Sequence, residues 1–125
     1  MPIDAKHPYD ESNIFARILR GDLPSNTVLE TEHSLAFHDI SPIAPIHVLV
    51  IPKGAYVSWD DFSAKGSDAE IADFTRTIGT VARQVGADQQ GYRLLSNIGK
   101  RGGQEVAHLH VHLFGGAPLG PMLTK

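Results

Sequence analysis

The sequence predicts an α+β domain in which an antiparallel sheet carries helices on one face. The observations behind this prediction are several short apolar stretches typical of strands and one long segment with the apolar stripe of an amphipathic helix. These elements follow in the order helix, strands, helix, strands, which favours an antiparallel sheet. No repeat, low-complexity segment or linker divides the 125 residues, so we expect a single domain.

The first element is a short helix that follows a leader. Residues 1–12 contain two prolines and no periodic pattern, which predicts a flexible leader before a domain spanning residues 13–125. Asn13 is the predicted N-cap, because its side chain can accept a hydrogen bond from a free backbone N–H of the first turn. Gly21 is the predicted end of the helix.

Two strands in a hairpin come next, and a loop follows them. Residues 27–31 and 34–40 have strand composition and are joined at Glu32-His33. Residues 39–45 contain two prolines, which exclude a regular central strand, and such loops often carry function. Asp39 at the start of this loop is either a turn residue or a carboxylate that binds a vicinal diol.

A third strand is predicted for the middle of the sheet. Residues 46–52 are apolar on both faces except for His47, which is typical of a strand buried on both sides. His47 is therefore either a buried structural histidine or a member of a polar site. Residues 53–66 are predicted to form a loop.

The second half of the chain begins with a capping box. Ser67 and Glu70 have the spacing of this motif, and the apolar stripe that follows predicts a long amphipathic helix ending before Gly86. Three segments come after it: a predicted strand, a glycine-rich loop and a final strand, at residues 92–97, 98–105 and 107–114. The proline-containing tail is predicted to form an extended arm.

The final strand alternates histidine with apolar residues. Because successive side chains of a strand point to opposite faces, His108, His110 and His112 are expected on one face, with the leucine and valine neighbours in the core. Core packing does not require three histidines on one face. This strand is therefore the candidate functional element.

Composition excludes several classes of function. The net charge is −3 and no basic block occurs, which argues against a groove for long DNA or RNA. Cysteine is absent, which excludes disulfides and thiolate metal sites and fits a cytoplasmic location. The longest apolar run, at residues 48–51, is too short to span a bilayer, so we expect no membrane partner.

Three interpretations of the histidine strand remain on these residues. It could be a solvated surface strand, or it could bind Zn²⁺ with His47 as a further ligand. A regular strand separates His108 from His112 by about 13 Å, at ~3.3 Å per residue, which is too far for both to bind one ion. The third interpretation is nucleophilic catalysis on phosphorus, with His110 as nucleophile and its neighbours as donors. It is favoured, because the glycine-rich loop could approach a phosphate, and we expect no metal or cofactor.

Residues 103–113, with the sequence GQEVAHLHVHL, resemble the signature His-φ-His-φ-His-φ-φ of the histidine-triad family, where φ is apolar. The similarity extends over roughly residues 13–123 and is strongest to the Hint branch of this family. Other segments carry it in the same order: IF at 14–15, AFHDISP at 36–42, APIH at 44–47, IPK at 51–53, GYRL at 91–94, Asn97, and PLGPM at 118–122.

The resemblance implies an activity and a set of site residues. The implied reaction is hydrolysis of purine nucleoside 5′-phosphoramidates and aminoacyl adenylates through a nucleotidyl-histidine. His110 would attack the phosphorus, with its Nδ1 proton held by the carbonyl of His108. His112 would donate to the substrate, with His47 and the His108 ring in support. The implied nucleotide-binding residues are Asp39 at the ribose, Ile40, Phe15 and Phe37 near the base, and Asn97, Gly103, Gln104 and Glu105 near the phosphate.

The resemblance also implies a five-stranded antiparallel sheet with one long and one short helix, joined in a homodimer into a ten-stranded sheet. Alternatives of the same family are a dinucleoside polyphosphate hydrolase of the Fhit branch and a nucleotidylyl transferase. An alternative of another class is a nucleotide-binding interaction module with weak activity.

Glu105 departs from the pattern of many Hint proteins, which carry serine or threonine there. A carboxylate close to a phosphate would be repulsive. We therefore expect the Glu105 backbone N–H to face the leaving group and its carboxylate to point elsewhere.

Overall fold

The computed structural model of the protein describes residues 2–123. Met1, in the predicted leader, and Thr124 and Lys125, at the end of the predicted domain, lie outside the described residues. The helices and strands follow in the order α1 (Ile14–Leu19), β1 (Thr27–Glu30), β2 (Ser34–His38), β3 (Ile46–Pro52), α2 (Trp59–Lys65), α3 (Asp68–Gln84), β4 (Arg93–Leu95), α4 (Gly99–Gly102) and β5 (Val111–Gly115), with a 3₁₀ turn at Ala87–Gln89.

The five strands form one antiparallel sheet in the order β1-β2-β3-β5-β4, which confirms the predicted sheet. β3 lies in the middle, as its apolar sequence predicts, and pairs with β2 on one side and β5 on the other. This pairing places His47 opposite Phe114 and Leu49 opposite His112. Strands distant in sequence thus bring His47 and the final histidines together.

The predicted helix ends agree with the structure. Asn13 caps α1 by accepting the backbone N–H of Ala16. Ser67 and Glu70 form the predicted capping box of α3, which ends shortly before Gly86, a residue with positive φ. No helix among residues 2–123 is long and apolar enough to cross a membrane.

Helices cover both faces of the sheet, so the prediction of helices on one face is wrong. β3 is apolar on both faces, and each face therefore needs cover. α3 packs against the face that includes Val48 and Val50. α1 packs against the opposite face, which carries a smaller cluster: Phe15, Leu35, Phe37, Leu49 and Ile51.

Residues 53–66, predicted as a loop, contain helix α2. Ser58 and Asp61 form a capping box at its start, with aspartate where the motif usually has glutamate or glutamine. Phe62 of this helix is buried and its ring lies edge-on to that of Phe74 in α3. The buried ring of Phe62 anchors α2 to the core. The helix has only seven residues, which is too short for its apolar spacing to be recognised in the sequence.

The last strand starts later than predicted. β5 begins at Val111, so His108 and His110 precede the regular strand. The Leu109 N–H instead donates to the carbonyl of Tyr56 at 2.8 Å, outside the sheet. β4 is also shorter than predicted, and α4 lies inside the predicted glycine-rich loop.

Candidate active site

The histidines collect on the face of the sheet that α1 covers. His112 lies in β5 and its Nδ1 is 2.9 Å from Nε2 of His47 in the neighbouring strand. The rings of His110 and His112 have centroids 5.2 Å apart, and Phe15 of α1 lies edge-on to His110 at 5.0 Å. The four predicted catalytic histidines, His47, His108, His110 and His112, thus form one connected cluster.

The proton position on His110 follows from its partner. Its Nδ1 lies 2.7 Å from the carbonyl oxygen of His108. A carbonyl only accepts, so Nδ1 carries the proton and Nε2 keeps its lone pair. Burial lowers the pKa of His110, partly offset by this hydrogen bond and by Asp39. His110 is therefore a neutral ring with a free basic nitrogen.

His108 is fully buried and held at both ring nitrogens. Its Nε2 lies 2.8 Å from the carbonyl oxygen of Pro52 and its Nδ1 lies 2.6 Å from the Tyr9 hydroxyl. Burial lowers the pKa of His108 to about 4, so the ring is neutral at pH 7. We call His110, His108, Pro52 and Tyr9 the nucleophile arm.

His112 has the opposite proton position. The Ile43 N–H donates to Nδ1 of His47 at 3.2 Å, so neutral His47 carries its proton on Nε2 and donates it to Nδ1 of His112. His112 then carries its own proton on Nε2, where it can be donated. Burial, His110 and His47 together lower the pKa of His112 to about 4. We call His112, His47, Ile43 and Asp39 the donor arm.

Asp39 lies at the end of the donor arm. Its Oδ2 is 3.5 Å from Nε2 of His47, and its Oδ1 accepts the Ser41 N–H at 2.7 Å. Burial lowers the pKa of His47, and the charge of Asp39 opposes this shift. The carboxylate thus makes the hydrogen bond of a turn residue, and its side chain keeps 19% exposure.

The donor arm also contains a candidate metal-binding set. One ligand atom each of Asp39, His47 and His112 lies within 4.8 Å of the others. Two imidazoles and a carboxylate suit Zn²⁺. The two imidazoles already share a hydrogen bond, so an ion would have to replace the proton of His47.

The predicted base-binding residues differ in exposure. Phe15 and Phe37 are buried, with ring centroids 5.8 Å apart. Ile40 lies in the loop after β2 and its side chain is 98% exposed. The two phenylalanines thus form a floor near His110, and Ile40 stands above the loop without a partner in the core.

The predicted phosphate-binding residues lie around α4. Gly103 follows this helix with φ +76°, a conformation that glycine adopts readily. Asn97 precedes the helix and is partly buried, and Glu105 is exposed. The backbone of Gly102 packs close to Asn97.

Gln104 supports this loop from inside. Its side chain is 1% exposed, accepts the Gly99 N–H and donates to the carbonyls of Val57 and Val106. Its backbone N–H donates to the carbonyl of Gly99. These bonds occupy the donors of Gln104 within the protein.

Two contacts of the site were not expected from the sequence. Tyr9, whose hydroxyl contacts His108, belongs to the segment predicted as a flexible leader. That segment has no periodic pattern from which the contact could be predicted. Ser96 donates its hydroxyl proton to the carbonyl of His110 at 2.8 Å. A serine after a short edge strand is too common to be informative alone.

A separate open depression of about 570 Å³ lies beside the 3₁₀ turn and the start of the tail. Its lining residues, among those described, include Ile46, Gln90 and Pro118 and no histidine, acid, lysine or arginine. It lacks the groups needed for acid–base or nucleophilic chemistry. The histidine cluster is therefore the candidate active site.

Known proteins are similar to this chain in sequence and structure. A HIT-like protein of Azospirillum brasilense, itself uncharacterized, is 63% identical over 117 residues, which cover 94% of this chain and 96% of that protein. A protein of Escherichia coli named purine nucleoside phosphoramidase is 43% identical over 114 residues, covering 91% and 95%.

Solved structures agree with this similarity. A histidine triad protein from Clostridium difficile superposes with a TM-score of 0.77 at 40% identity, covering 88% of this chain and 95% of that one. A HIT family hydrolase from Clostridium thermocellum superposes with a TM-score of 0.79 at 36% identity, covering 92% and 99%. Residues 20–119 match the family described as the HIT domain. The chain belongs to the HIT domain family, as its histidine-triad signature predicts.

Proposed function

We propose that this protein hydrolyses purine nucleoside 5′-phosphoramidates, including aminoacyl-adenylate-like substrates, through a nucleotidyl-histidine. One observation carries the proposal: Nδ1 of His110 contacts a carbonyl, whereas Nδ1 of His112 contacts the ring nitrogen of His47. We infer that these two histidines hold their protons on opposite nitrogens. His110 offers a lone pair on Nε2, and His112 offers an N–H there. Substitution at phosphorus needs both a nucleophile and a donor.

In the first step, Nε2 of His110 forms a bond to the α-phosphorus and the P–N bond breaks. The amine leaves with the bonding electron pair and takes one proton, which His112 gives from Nε2. His112 donates a hydrogen bond from Nε2 to the bridging nitrogen or a phosphate oxygen. In the second step, the oxygen of water forms a bond to phosphorus and the bond from phosphorus to Nε2 of His110 breaks. The proton that water loses returns to Nε2 of His112, and the nucleoside monophosphate is released.

Neutral rings favour this chemistry near pH 7. The lowered pKa of His110 keeps its lone pair available at pH values where an exposed histidine begins to protonate. The negative charge of the phosphate is then stabilised by neutral N–H donors. A protonated His110 would also attract this charge, but it would have no lone pair left for attack. The Glu105 backbone N–H is our proposed donor near the leaving amine.

The nucleoside would lie over the aromatic floor. Phe15 and Phe37 offer apolar surface to a base, with Ile40 closing from the loop, and a purine offers more stacking area than a pyrimidine. The carboxylate of Asp39 would accept hydrogen bonds from the ribose hydroxyls. Asn97 and Gly103 lie on the phosphate side, whereas Gln104 would act there through the loop that it holds.

The names of the relatives support the same activity. The Escherichia coli relative is named a purine nucleoside phosphoramidase, and the Clostridium thermocellum protein is called a HIT family hydrolase. Both cover more than nine-tenths of this chain. The active-site geometry supplies the chemical reason for assigning such an activity here.

The proposal is tested by substrate choice. Purified protein is given adenosine 5′-phosphoramidate or a diadenosine polyphosphate at equal concentration, and release of AMP is measured. We expect kcat/KM for the phosphoramidate to be at least roughly a hundredfold higher, which is a difference of ~2.7 kcal/mol. A preference for the dinucleotide would indicate a Fhit-type hydrolase. Tight AMP binding without turnover of either substrate would indicate a binding module.

We also propose a homodimer joined through β4. This strand forms one edge of the sheet, and its outer side is unpaired among the described residues. Tyr92, Leu94 and Ile98 leave large apolar side chains exposed along this edge. Pairing two such edges would create a ten-stranded sheet. The cytoplasmic location stays a prediction.

A further inference from the structure

The N-terminal segment lies against the nucleophile arm. The Ile3 N–H donates to the carbonyl of Gln104 at 2.6 Å, and Lys6 forms an ion pair with Asp60 of α2 at 3.1 Å. Residues 2–12 contain no helix or strand. They nevertheless bring Tyr9 to His108, with ring centroids 5.5 Å apart in an edge-to-face arrangement.

The direction of the Tyr9 hydrogen bond follows from the rest of the site. Pro52 offers only a carbonyl oxygen to Nε2 of His108, so this nitrogen carries the single proton of the neutral ring. Nδ1 of His108 must then accept, and the Tyr9 hydroxyl donates to it at 2.6 Å. Burial raises the pKa of Tyr9, so the hydroxyl keeps its proton. Without this donor, a buried acceptor would be left unsatisfied.

The same residue, His108, provides the carbonyl that orients the nucleophile. It lies before the start of β5, so strand pairing does not fix its backbone. The Leu109 N–H holds one side of the peptide that follows His108. The ring of His108 is the second anchor, and Tyr9 and Pro52 hold this ring at opposite ends.

We propose that Tyr9 is a positioning residue: its hydroxyl fixes the His108 ring, and through the His108 carbonyl it keeps the proton of His110 on Nδ1. This inference rests on the proposed function, in which His110 attacks from Nε2. Tyr9 touches neither the substrate nor the reacting nitrogen. Tyr9 changes the fraction of protein molecules in which the His110 ring is oriented for attack.

Tyr9→Phe tests the proposal because it removes the hydroxyl and keeps the ring. We expect kcat for adenosine 5′-phosphoramidate to fall roughly tenfold, with KM changed by less than about twofold, because alignment of the nucleophile and not binding is impaired. Lys6→Ala is the matched control in the same segment. It removes an exposed ion pair and keeps Tyr9, so kcat should stay at the wild-type value.

Imidazole nitrogen NMR gives a readout that does not need activity. In the wild type we expect His108 protonated on Nε2 and His110 on Nδ1. In Tyr9→Phe, a second His110 form protonated on Nε2 should appear while the thermal midpoint shows a folded protein. Unchanged His110 nitrogen shifts together with unchanged kcat would overturn the proposal. A loss of kcat with unchanged shifts would also overturn it, since Tyr9 would then act by another route.

A double variant separates the two proposals. In a His108→Phe background no ring nitrogen remains to accept, so adding Tyr9→Phe should not lower kcat further. An additive loss would contradict action through His108. If the wild type fails to hydrolyse the phosphoramidate, the proposed function fails, but the nitrogen shifts still decide whether Tyr9 controls the proton of His110.

Discussion

The nucleophile arm and the donor arm use the same residue type to opposite effect. Both end in a histidine with a lowered pKa, and the two rings lie side by side. In the nucleophile arm, Nδ1 of His110 contacts a carbonyl acceptor, that of His108. In the donor arm, Nδ1 of His112 accepts from His47, whose own Nδ1 accepts the Ile43 N–H. His110 therefore presents a lone pair where His112 presents a proton.

This difference shows that the chemical role of a histidine depends on whether its Nδ1 contacts an acceptor or a donor. A backbone carbonyl can only accept and a backbone N–H can only donate, so each fixes the proton of the ring that it touches. In the donor arm, the ring of His47 then fixes the proton of His112. In the nucleophile arm, the carbonyl of His108 fixes the proton of His110. Backbone groups thereby set the tautomers without any charged partner in the nucleophile arm.

The largest expected effect comes from breaking the two arms separately. His110→Ala removes the nucleophile, and we expect kcat to fall by at least roughly 10⁴-fold for every substrate. His112→Ala removes a donor, and we expect a loss of about 10²- to 10³-fold for the phosphoramidate. The loss in His112→Ala should shrink for a nitrophenyl ester of AMP, whose leaving group needs no proton. Equal losses for both substrates would contradict the donor role.

Protonation should weaken both arms together. An unfolded histidine has an ordinary pKa of 6.5, whereas folded His108 and His112 have pKa values of about 4. The unfolded chain therefore binds more protons between these values, and the free energy of unfolding falls as pH drops from 6.5 towards 4. For buried His108 alone the loss is on the order of 1–2 kcal/mol at pH 5.

Urea midpoints at pH 7 and pH 5 measure this loss. The double variant His108→Gln with His112→Gln keeps hydrogen-bonding groups but cannot take up these protons, so its midpoint should change less with pH than that of the wild type. An equal pH dependence in both proteins would show that the two rings are not the groups that resist protonation.

A smaller effect is expected at Glu105, outside both arms. Glu105 is an exposed residue, and we assign the contact with the leaving group to its backbone N–H. Glu105→Ser keeps that N–H, so turnover of the phosphoramidate should change by less than about threefold. A hundredfold change in kcat would sink this assignment and give the side chain a direct part in the reaction.

No effect at all is expected from metal removal. Asp39, His47 and His112 could hold an ion, but our proposal uses the donor arm with protons instead. Phosphoramidate hydrolysis should therefore proceed at the same rate after dialysis against EDTA. If the rate collapsed and returned with Zn²⁺, the donor arm would be a metal site and the proton placement on His112 would be wrong.

The sequence was sufficient for the parts of the fold that depend on local patterns. The apolar run of β3 predicts its central place, and the Ser67 and Glu70 spacing predicts the start of α3. Helix α2 was not predicted, because seven residues are too few to show a helical repeat of apolar positions. Its capping box also has Asp61 where the motif usually has glutamate or glutamine. The cover of both sheet faces was also missed, although the apolar run of β3 contained the signal.

The sequence predicts that the histidines of the candidate site lie near one another, but it does not predict their hydrogen bonds. Alternation places His110 and His112 on one face, and the family resemblance adds His47. The proton of His110 is placed by the carbonyl of His108, and that of His112 by the Ile43 N–H acting through His47. The carbonyl of Pro52 and the hydroxyl of Tyr9 place the proton of the His108 ring. Almost every residue has the same backbone N–H and carbonyl groups, so the sequence does not show which of them contacts a given ring. Only the folded structure shows these contacts.

The central claim, that His110 attacks phosphorus, is tested most directly by intact-mass measurement of protein quenched during turnover of adenosine 5′-phosphoramidate. We predict that a fraction of the wild type gains the mass of one adenylyl group and that peptide mapping places it on His110. His110→Ala should show no gain, whereas His112→Ala should still be able to form the adduct slowly. A wild type that never carries the adduct under single-turnover conditions would contradict the assignment of His110 as nucleophile.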